Sequence, residues 1–200
     1  LGLRSELTAD PTVIRAAERV ILPGVGSANE GMRKLQERGL VDCVRGLTQP
    51  VLGVCLGMQA LFDHSEEADT AGLGIFRGQV VRFRRPPGFK VPHMGWNTVR
   101  FTQANSPLAT GLAPEGEAFY FVHSYYCKPK SRALVCTTTE YGLEFCSMVW
   151  SDNVFATQFH PEKSQAIGLK MLENFVKLAK GQKSGVRRMW REERGVLTQF

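Results

Sequence analysis

Residues 50–59, Pro-Val-Leu-Gly-Val-Cys-Leu-Gly-Met-Gln, set the terms for the rest of the chain. Pro50 to Val54 is a short apolar run suited to a buried strand, and from Leu56 onward Leu61 and Phe62 recur at helical spacing. Cys55 therefore falls where a strand turns into a helix, with Gly53 and Gly57 two residues to either side. This G-x-C-x-G is the cysteine counterpart of the G-x-S-x-G nucleophile elbow, in which glycines permit a tight turn that exposes the side chain. A thiol at a helix start faces unpaired N–H groups and the positive end of the dipole, which favour the thiolate. Buried structural cysteines in glycine-bearing turns match the same short pattern, so the segment needs partners elsewhere before it means catalysis.

The rest of the composition narrows the classes. Two hundred residues, 43% of them hydrophobic, suffice for one full core. No apolar run approaches the roughly 20 residues needed to cross a bilayer, and the N-terminus lacks a charged-then-apolar signal. The five cysteines (Cys43, Cys55, Cys127, Cys136, Cys146) are odd in number and lack C-x-x-C spacing. That argues against a disulfide framework or a zinc site and for a reducing, cytoplasmic setting; no metal or other cofactor is expected. The net charge of +6 concentrates in Arg82, Arg84, Arg85 and Lys90 and in the tail from Lys180 to Arg194. Without interleaved aromatics such runs read as solvated faces, so no nucleic-acid or membrane partner is expected.

In chain order, residues 1–9 carry a weak strand signal. Asp10-Pro11 reads as an N-cap with proline at the first helical position, opening a helix to about Ala17. Val20-Ile21-Leu22 is a compact buried strand that runs into Pro23-Gly24-Val25-Gly26-Ser27. Ser27 with Glu30 resembles a capping box for a helix carrying Met32 and Leu35, which Gly39 would end. The loop lacks a Walker lysine and a full G-x-G-x-x-G, so a bare backbone N–H offered to a ligand is the simpler reading. After a polar loop at Glu66, Glu67 and Asp69, β structure follows through residues 72–83, then an exposed connection, Arg84 to Gly88. Pro92-His93-Met94-Gly95-Trp96-Asn97 reads as a loop ahead of the alternating Thr98-Val99-Arg100-Phe101. Ser106-Pro107-Leu108 suggests one helical turn, Phe119 to Tyr126 one aromatic strand, and residues 133–138 another. Residues 144–150 and 154–159 form a hairpin through Ser151-Asp152-Asn153. Ser164 to Lys180 is an amphipathic helix with Ile167, Met171, Leu172, Phe175 and Leu178 on one side. The whole predicts an α/β fold with a largely parallel central sheet, flanking helices and a grafted antiparallel portion, spanning residues 1–180. Residues 181–200 read as an appended basic tail.

A nucleophilic thiol needs a base, and the base needs an orienting group. His64, beside Asp63 and Glu66, reads as exposed or capping, His93 as a loop residue, and His123 as a satisfied core histidine. His160 differs, because Pro161 stiffens the chain and Glu162 lies two residues on, the same side of an extended backbone. Paired with the elbow, His160-Pro161-Glu162 points to a Cys55–His160–Glu162 triad performing acyl transfer. The oxyanion would take the N–H of Leu56 plus one from the Pro23–Gly26 loop, at Val25, each worth roughly 3–4 kcal/mol. Chemistry alone does not separate a peptidase from an amidase.

Gly53-Val54-Cys55-Leu56-Gly57-Met58-Gln59 together with His160-Pro161-Glu162 resembles the class I (triad) glutamine amidotransferase family. Within it, four further segments resemble the glutaminase subunit that serves imidazole glycerol phosphate synthase in histidine biosynthesis. They are Leu22-Pro23-Gly24-Val25-Gly26, Gly72-Leu73-Gly74, Pro92-His93-Met94-Gly95-Trp96-Asn97 and Phe121-Val122-His123-Ser124-Tyr125-Tyr126. The resemblance implies Cys55 as nucleophile, His160 as acid/base and Glu162 as its orienter. It implies that Gly26, Gln59 and the His123, Ser124, Tyr125 segment help hold L-glutamine, partly through backbone groups. It implies a (β/α)₈ cyclase subunit as partner, which receives ammonia through an interface whose wall includes Pro92, His93, Met94, Gly95, Trp96 and Asn97. The bland alternative for that segment is a tryptophan anchored in the core.

In that family a strand and a helix with an Asp-Tyr-Gly-type segment precede the position of Leu1. The chain is therefore expected to enter near the second strand, leaving an unfilled core slot and an unpaired edge. The basic tail is not a family feature. Rival readings are a glutaminase serving the anthranilate, pyridoxal-phosphate or GMP pathways, a cysteine peptidase-like hydrolase, and a non-catalytic interaction subunit.

Overall fold

The structure is a computed structural model that describes residues 1–84, 88–103 and 105–179. Part of the exposed connection (residues 85–87) and the basic tail lie outside the described residues. The helices are α1 (Pro11–Ala16), α2 (Ala28–Glu37), α3 (Val41–Arg45), α4 (Leu56–Ala60) and α5 (Gln165–Val176). The strands are β1 (Val20–Leu22), β2 (Val51–Val54), β3 (Phe62–Ser65), β4 (Thr70–Ala71), β5 (Phe76–Arg82) and β6 (His93–Phe101). They continue with β7 (Glu117–His123), β8 (Tyr125–Pro129), β9 (Val135–Glu140), β10 (Glu144–Ser151) and β11 (Val154–Thr157).

One sheet runs in the order β1-β2-β11-β10-β8-β5-β3-β4, and β9, also paired with β10, carries β6 and β7. The site-bearing centre is parallel: β2 lies between β1 and β11, with Gly53 opposite Leu22 on one side and Ala156 on the other. β3 and β5 are also parallel, and the remaining described pairings are antiparallel. The α/β architecture is thus as the sequence implies, with a larger antiparallel part than its strand–helix alternation suggests.

Period-two alternation divides β2 between two cores. Val51 joins the cluster built with Met58, Leu61, Phe62 and Val80, whereas Leu52 and Val54 join an aromatic cluster with Phe119, Phe121, Phe155 and Phe159. Gly53 sits on the first face, where a Cβ would come within 3.0 Å of Gly57 backbone atoms. The missing side chain lets α4 lie directly on the sheet. α5 closes the aromatic face with Met171 and Phe175, joined by Leu178 just beyond its end, with Ile167 and Leu172 partly buried beside them.

Several local expectations change. Residues 1–9 form no strand, and Leu1, Leu3 and Leu7 are exposed. β1 is the sheet's edge among the described residues, with Ile21 51% exposed, so the expected burial of this strand does not hold. Ser27 is the N-cap of α2 but makes no cap hydrogen bond, and Glu30 pairs with Lys34 instead. The cap comes from Glu67, whose Oε2 accepts from the Ala28 N–H at 2.6 Å. The aromatic strand breaks at Ser124 into β7 and β8, which belong to different sheet arms. The last helix ends at Val176 rather than Lys180.

Candidate active site

Cys55 is the N-cap of α4 at φ 53°, ψ −107°, a strained conformation for a non-glycine residue, of order 1–3 kcal/mol. Its surroundings hold it there. The Cys55 N–H donates to Thr157 O at 2.7 Å, and the Cys55 carbonyl accepts from Gln59 N at 3.1 Å. On the other side the Leu22–Gly26 loop presses against the elbow. A Cβ on Gly57 would collide with the Leu22 carbonyl oxygen, and one on Gly24 would lie 2.7 Å from the Leu56 Cβ. The five residues of α4 make only a short dipole, so the local N–H groups matter more than the helix as a whole.

The backbone N–H groups expected to meet an oxyanion have no backbone partner among the described residues. The Leu56 N–H is the first of α4 and has no acceptor within the helix. Among the described residues, the Val25 and Gly26 N–H groups make no backbone hydrogen bond. Val25 is 84% exposed, and Gly26 has φ +98°, a turn that favours glycine.

β2 and β11 deliver Cys55 and His160 to the same sheet edge, at their C-terminal ends, where open α/β sheets gather their sites. The chain runs on from β11 through Gln158 and Phe159 to His160, whose N–H donates to Tyr120 O at 2.9 Å. His160 is extended, and a 3-10 turn, Pro161–Lys163, follows at once. The His160 Nδ1 and Glu162 Oε1 meet at 2.7 Å, so this pairing comes from the turn rather than from strand alternation. Ser164 ties the turn down: its hydroxyl donates to His160 O at 2.6 Å and accepts from Tyr120 N at 3.0 Å.

The His160 imidazole is 3% exposed, and its Nε2 makes no hydrogen bond, which leaves that nitrogen for the thiol. Burial alone would push the imidazole down. The neighbouring Cys55 sulfur and Glu162 carboxylate outweigh it and raise the group to about 9. For Glu162, partial burial pulls upward, but the hydrogen bond from His160 prevails and holds the carboxyl below its usual range.

A chain of directional hydrogen bonds backs Cys55. The Tyr125 carbonyl can only accept, so His123 Nδ1 donates to it (2.7 Å) and His123 Nε2 is left as acceptor. His93 Nδ1 then donates to His123 Nε2 (2.9 Å), and His93 Nε2 accepts from Asn97 Nδ2 (3.2 Å). Gln59 Nε2 donates to the Tyr125 carbonyl (3.2 Å) and to Gln158 Oε1 (3.0 Å). Gln158 Nε2 donates to Cys55 Sγ at 3.6 Å. Burial keeps both histidines neutral, lowering His93 to about 4 and His123 to about 3.

This network revises several readings. The His123 imidazole and the Gln59 amide nitrogen are already engaged inside the protein, as are the Tyr125 carbonyl and, through the Phe83 N–H, the Ser124 carbonyl. His93 begins β6 and is buried, stacked between Phe121 and Tyr141, so it does not face a partner. Met94 and Trp96 alternate with it and point outward; Trp96 is 49% exposed, which removes the core-anchor alternative. Pro92 is exposed, and Gly95 and Asn97 are half-buried. His64 contacts Asp69 at 2.7 Å and has no hydrogen bond to Cys55 or His160. The contacts of Gln158 and the tie made by Ser164 carry no motif in the sequence; an amide inside the apolar run Val154–Phe159 is the available signal for the first.

Among the described residues, no group of His, Cys, Asp and Glu is arranged to hold a metal, and no helix is long and apolar enough to cross a membrane. A family model, glutamine amidotransferase class-I, matches residues 5–179. The chain is 47% identical over 187 residues to the imidazole glycerol phosphate synthase subunit HisH of Dehalococcoides mccartyi (strain ATCC BAA-2266 / KCTC 15142 / 195), covering 92% of this chain and 89% of that one. It is 50% identical over 184 residues to the subunit of the same name from Moorella thermoacetica, covering 90% and 86%. A solved glutamine amidotransferase superposes with a TM-score of 0.65 at 19% identity over 88% of each chain. One from Thermotoga maritima gives 0.54 at 19% identity, over 80% of this chain and 62% of that one. The structural likenesses speak to fold alone; with the family model and the curated relatives added, the chain belongs to the class-I glutamine amidotransferases.

Proposed function

We propose that this enzyme is the glutaminase subunit of an imidazole glycerol phosphate synthase, with Cys55, His160 and Glu162 as its triad. The observation that carries the triad is the delivery of Cys55 and His160 to adjacent strand ends, with His160 fastened to Glu162 at 2.7 Å. The Cys55 sulfur attacks the side-chain carboxamide carbon of L-glutamine, and the carbonyl electrons move onto oxygen. That oxyanion is held by the N–H of Leu56 and by one from the Val25–Gly26 loop. His160 gives its proton to the departing nitrogen as the C–N bond breaks, leaving ammonia and a glutamyl thioester. Its neutral form then takes a proton from water, which attacks the thioester and releases glutamate and the thiol. Glu162 keeps Nδ1 occupied throughout, so that Nε2 is the working nitrogen.

Ammonia freed into neutral water becomes mostly ammonium, which is not a nucleophile. A docked (β/α)₈ cyclase subunit would receive it and form imidazole glycerol phosphate and an aminoimidazole carboxamide ribotide. The curated relatives named above support this assignment, and the outward row of Pro92, Met94 and Trp96 suits a docking face. The test is ammonia release from glutamine with and without the cyclase subunit. Cys55→Ala should abolish it while sparing the association; retained hydrolysis would refute the nucleophile, and delivery to a different acceptor synthase would refute the pathway.

A further inference from the structure

Gln158 is wholly buried, yet it carries an amide to the reacting sulfur of the candidate nucleophile. Its orientation is determined by its neighbours. The Tyr125 carbonyl requires a donor, so the Gln59 atom facing it is nitrogen. The same nitrogen lies 3.0 Å from Gln158, which must therefore present its oxygen there and its NH₂ to Cys55. A flipped Gln158 amide would set NH₂ against NH₂ in a dry interior, leaving buried donors unpaired. Cys55 Sγ also lies 3.9 Å from the Val122 carbonyl, a group that disfavours negative charge on sulfur. The amide N–H opposes that effect.

We propose that Gln158 is a catalytic residue that stabilises the anionic Cys55 sulfur through its side-chain N–H, in an orientation set by Gln59; this rests on Cys55 being the nucleophile. The N–H donor acts on the sulfur before attack and again when the thioester is hydrolysed and sulfur leaves with its electron pair. The ionisable groups around the sulfur are His160 with Glu162 behind it, His123 beyond His160, and Cys127. Substitution at 158 alters none of them chemically.

The test is the rate of iodoacetamide alkylation against pH on the full chain. Cys43, Cys127, Cys136 and Cys146 are buried, so native labelling reports Cys55, with Cys55→Ser as the blank. Gln158→Glu keeps the shape and the acceptor for Gln59 but removes the donor at sulfur. Gln158→Met removes the donor without adding charge. Both should move the alkylation profile to higher pH and slow labelling near neutrality about tenfold, more for Gln158→Glu. Folded variants with the parent profile would overturn the proposal. If neither variant folds, Gln59→Met, which frees the Gln158 amide to turn, should slow labelling about threefold, and an unchanged profile would again overturn it. Loss of glutamine hydrolysis in Cys55→Ala is read separately, so an unshifted profile sinks this role alone, and retained hydrolysis sinks the nucleophile alone.

Discussion

The backbone N–H of Cys55 donates to the carbonyl of Thr157 at 2.7 Å, and Thr157 stands three residues before His160. The last rung between β2 and β11 therefore ties the proposed nucleophile to the strand that supplies its base. The proposed triad owes its geometry to sheet register, and what remains adjustable is the charge on His160.

Glu162→Gln tests that charge. The folded His160 group is raised to about 9, so its proton is retained below that pH and lost as pH rises through it. Glutaminase kcat in the parent should fall on the alkaline side near pH 9. Without the carboxylate, only the Cys55 sulfur is left to oppose burial. The alkaline limb should then move down by about a unit and kcat should drop about 10²-fold, read from a pH–rate profile. An unshifted limb would detach Glu162 from the imidazole.

Gly57 and Gly26 should respond differently to alanine. At Gly57 the added Cβ meets the Leu22 carbonyl oxygen, part of a packed backbone contact between β1 and α4. We expect a loss of about 3 kcal/mol or more in urea unfolding. At Gly26 the space is open and only φ +98° opposes a side chain, so the cost should be about 1–2 kcal/mol. Equal costs would mean that the close approach is not what fixes the loop on the elbow.

The cap of α2 gives a second paired comparison. Glu67→Ala should cost about 1 kcal/mol, since it removes the acceptor of the Ala28 N–H at a helix N-terminus. Ser27→Ala, at the nominal cap, should change stability by only about a few tenths of that, because its hydroxyl donates to Asn29 rather than capping. The reverse ranking in denaturant titrations would restore the local capping box.

His93 and His123 should make the fold acid-sensitive. Their folded groups titrate near 4 and 3, below the ordinary 6.5. Between 6.5 and those values the unfolded chain binds more protons. Stability is thus full above 6.5 and falls as pH drops, by about 1.4 kcal/mol per pH unit for each proton. His160 acts in the opposite sense and only above 6.5. A His93→Gln, His123→Gln double variant should show a flatter dependence from pH 6.5 to 4, whatever its stability at pH 7.

The parts of the site readable beforehand were those whose signal is local. Gly53-Val54-Cys55-Leu56-Gly57 and His160-Pro161-Glu162 each compress an element boundary, a rigid turn and a chemical group into a few residues. The cap of α2 was not readable, because its acceptor arrives from Glu67, 39 residues downstream. The Pro92–Asn97 segment looked like a loop because proline and glycine punctuate it. Its strand character comes from pairing with β7, and the burial of His93 comes from Phe121 and Tyr141 on other strands. Gln158 stayed hidden for the same reason: nothing in Val154–Phe159 tells that its amide meets Gln59, 99 residues away.

β2 and β11, the strands that lead to Cys55 and His160, are buried along their whole length, each packed on both faces. Such strands are among the last parts of a protein to open. Gradual addition of denaturant should consequently leave catalysis undiminished until the molecule melts as a unit, the two losses sharing one midpoint.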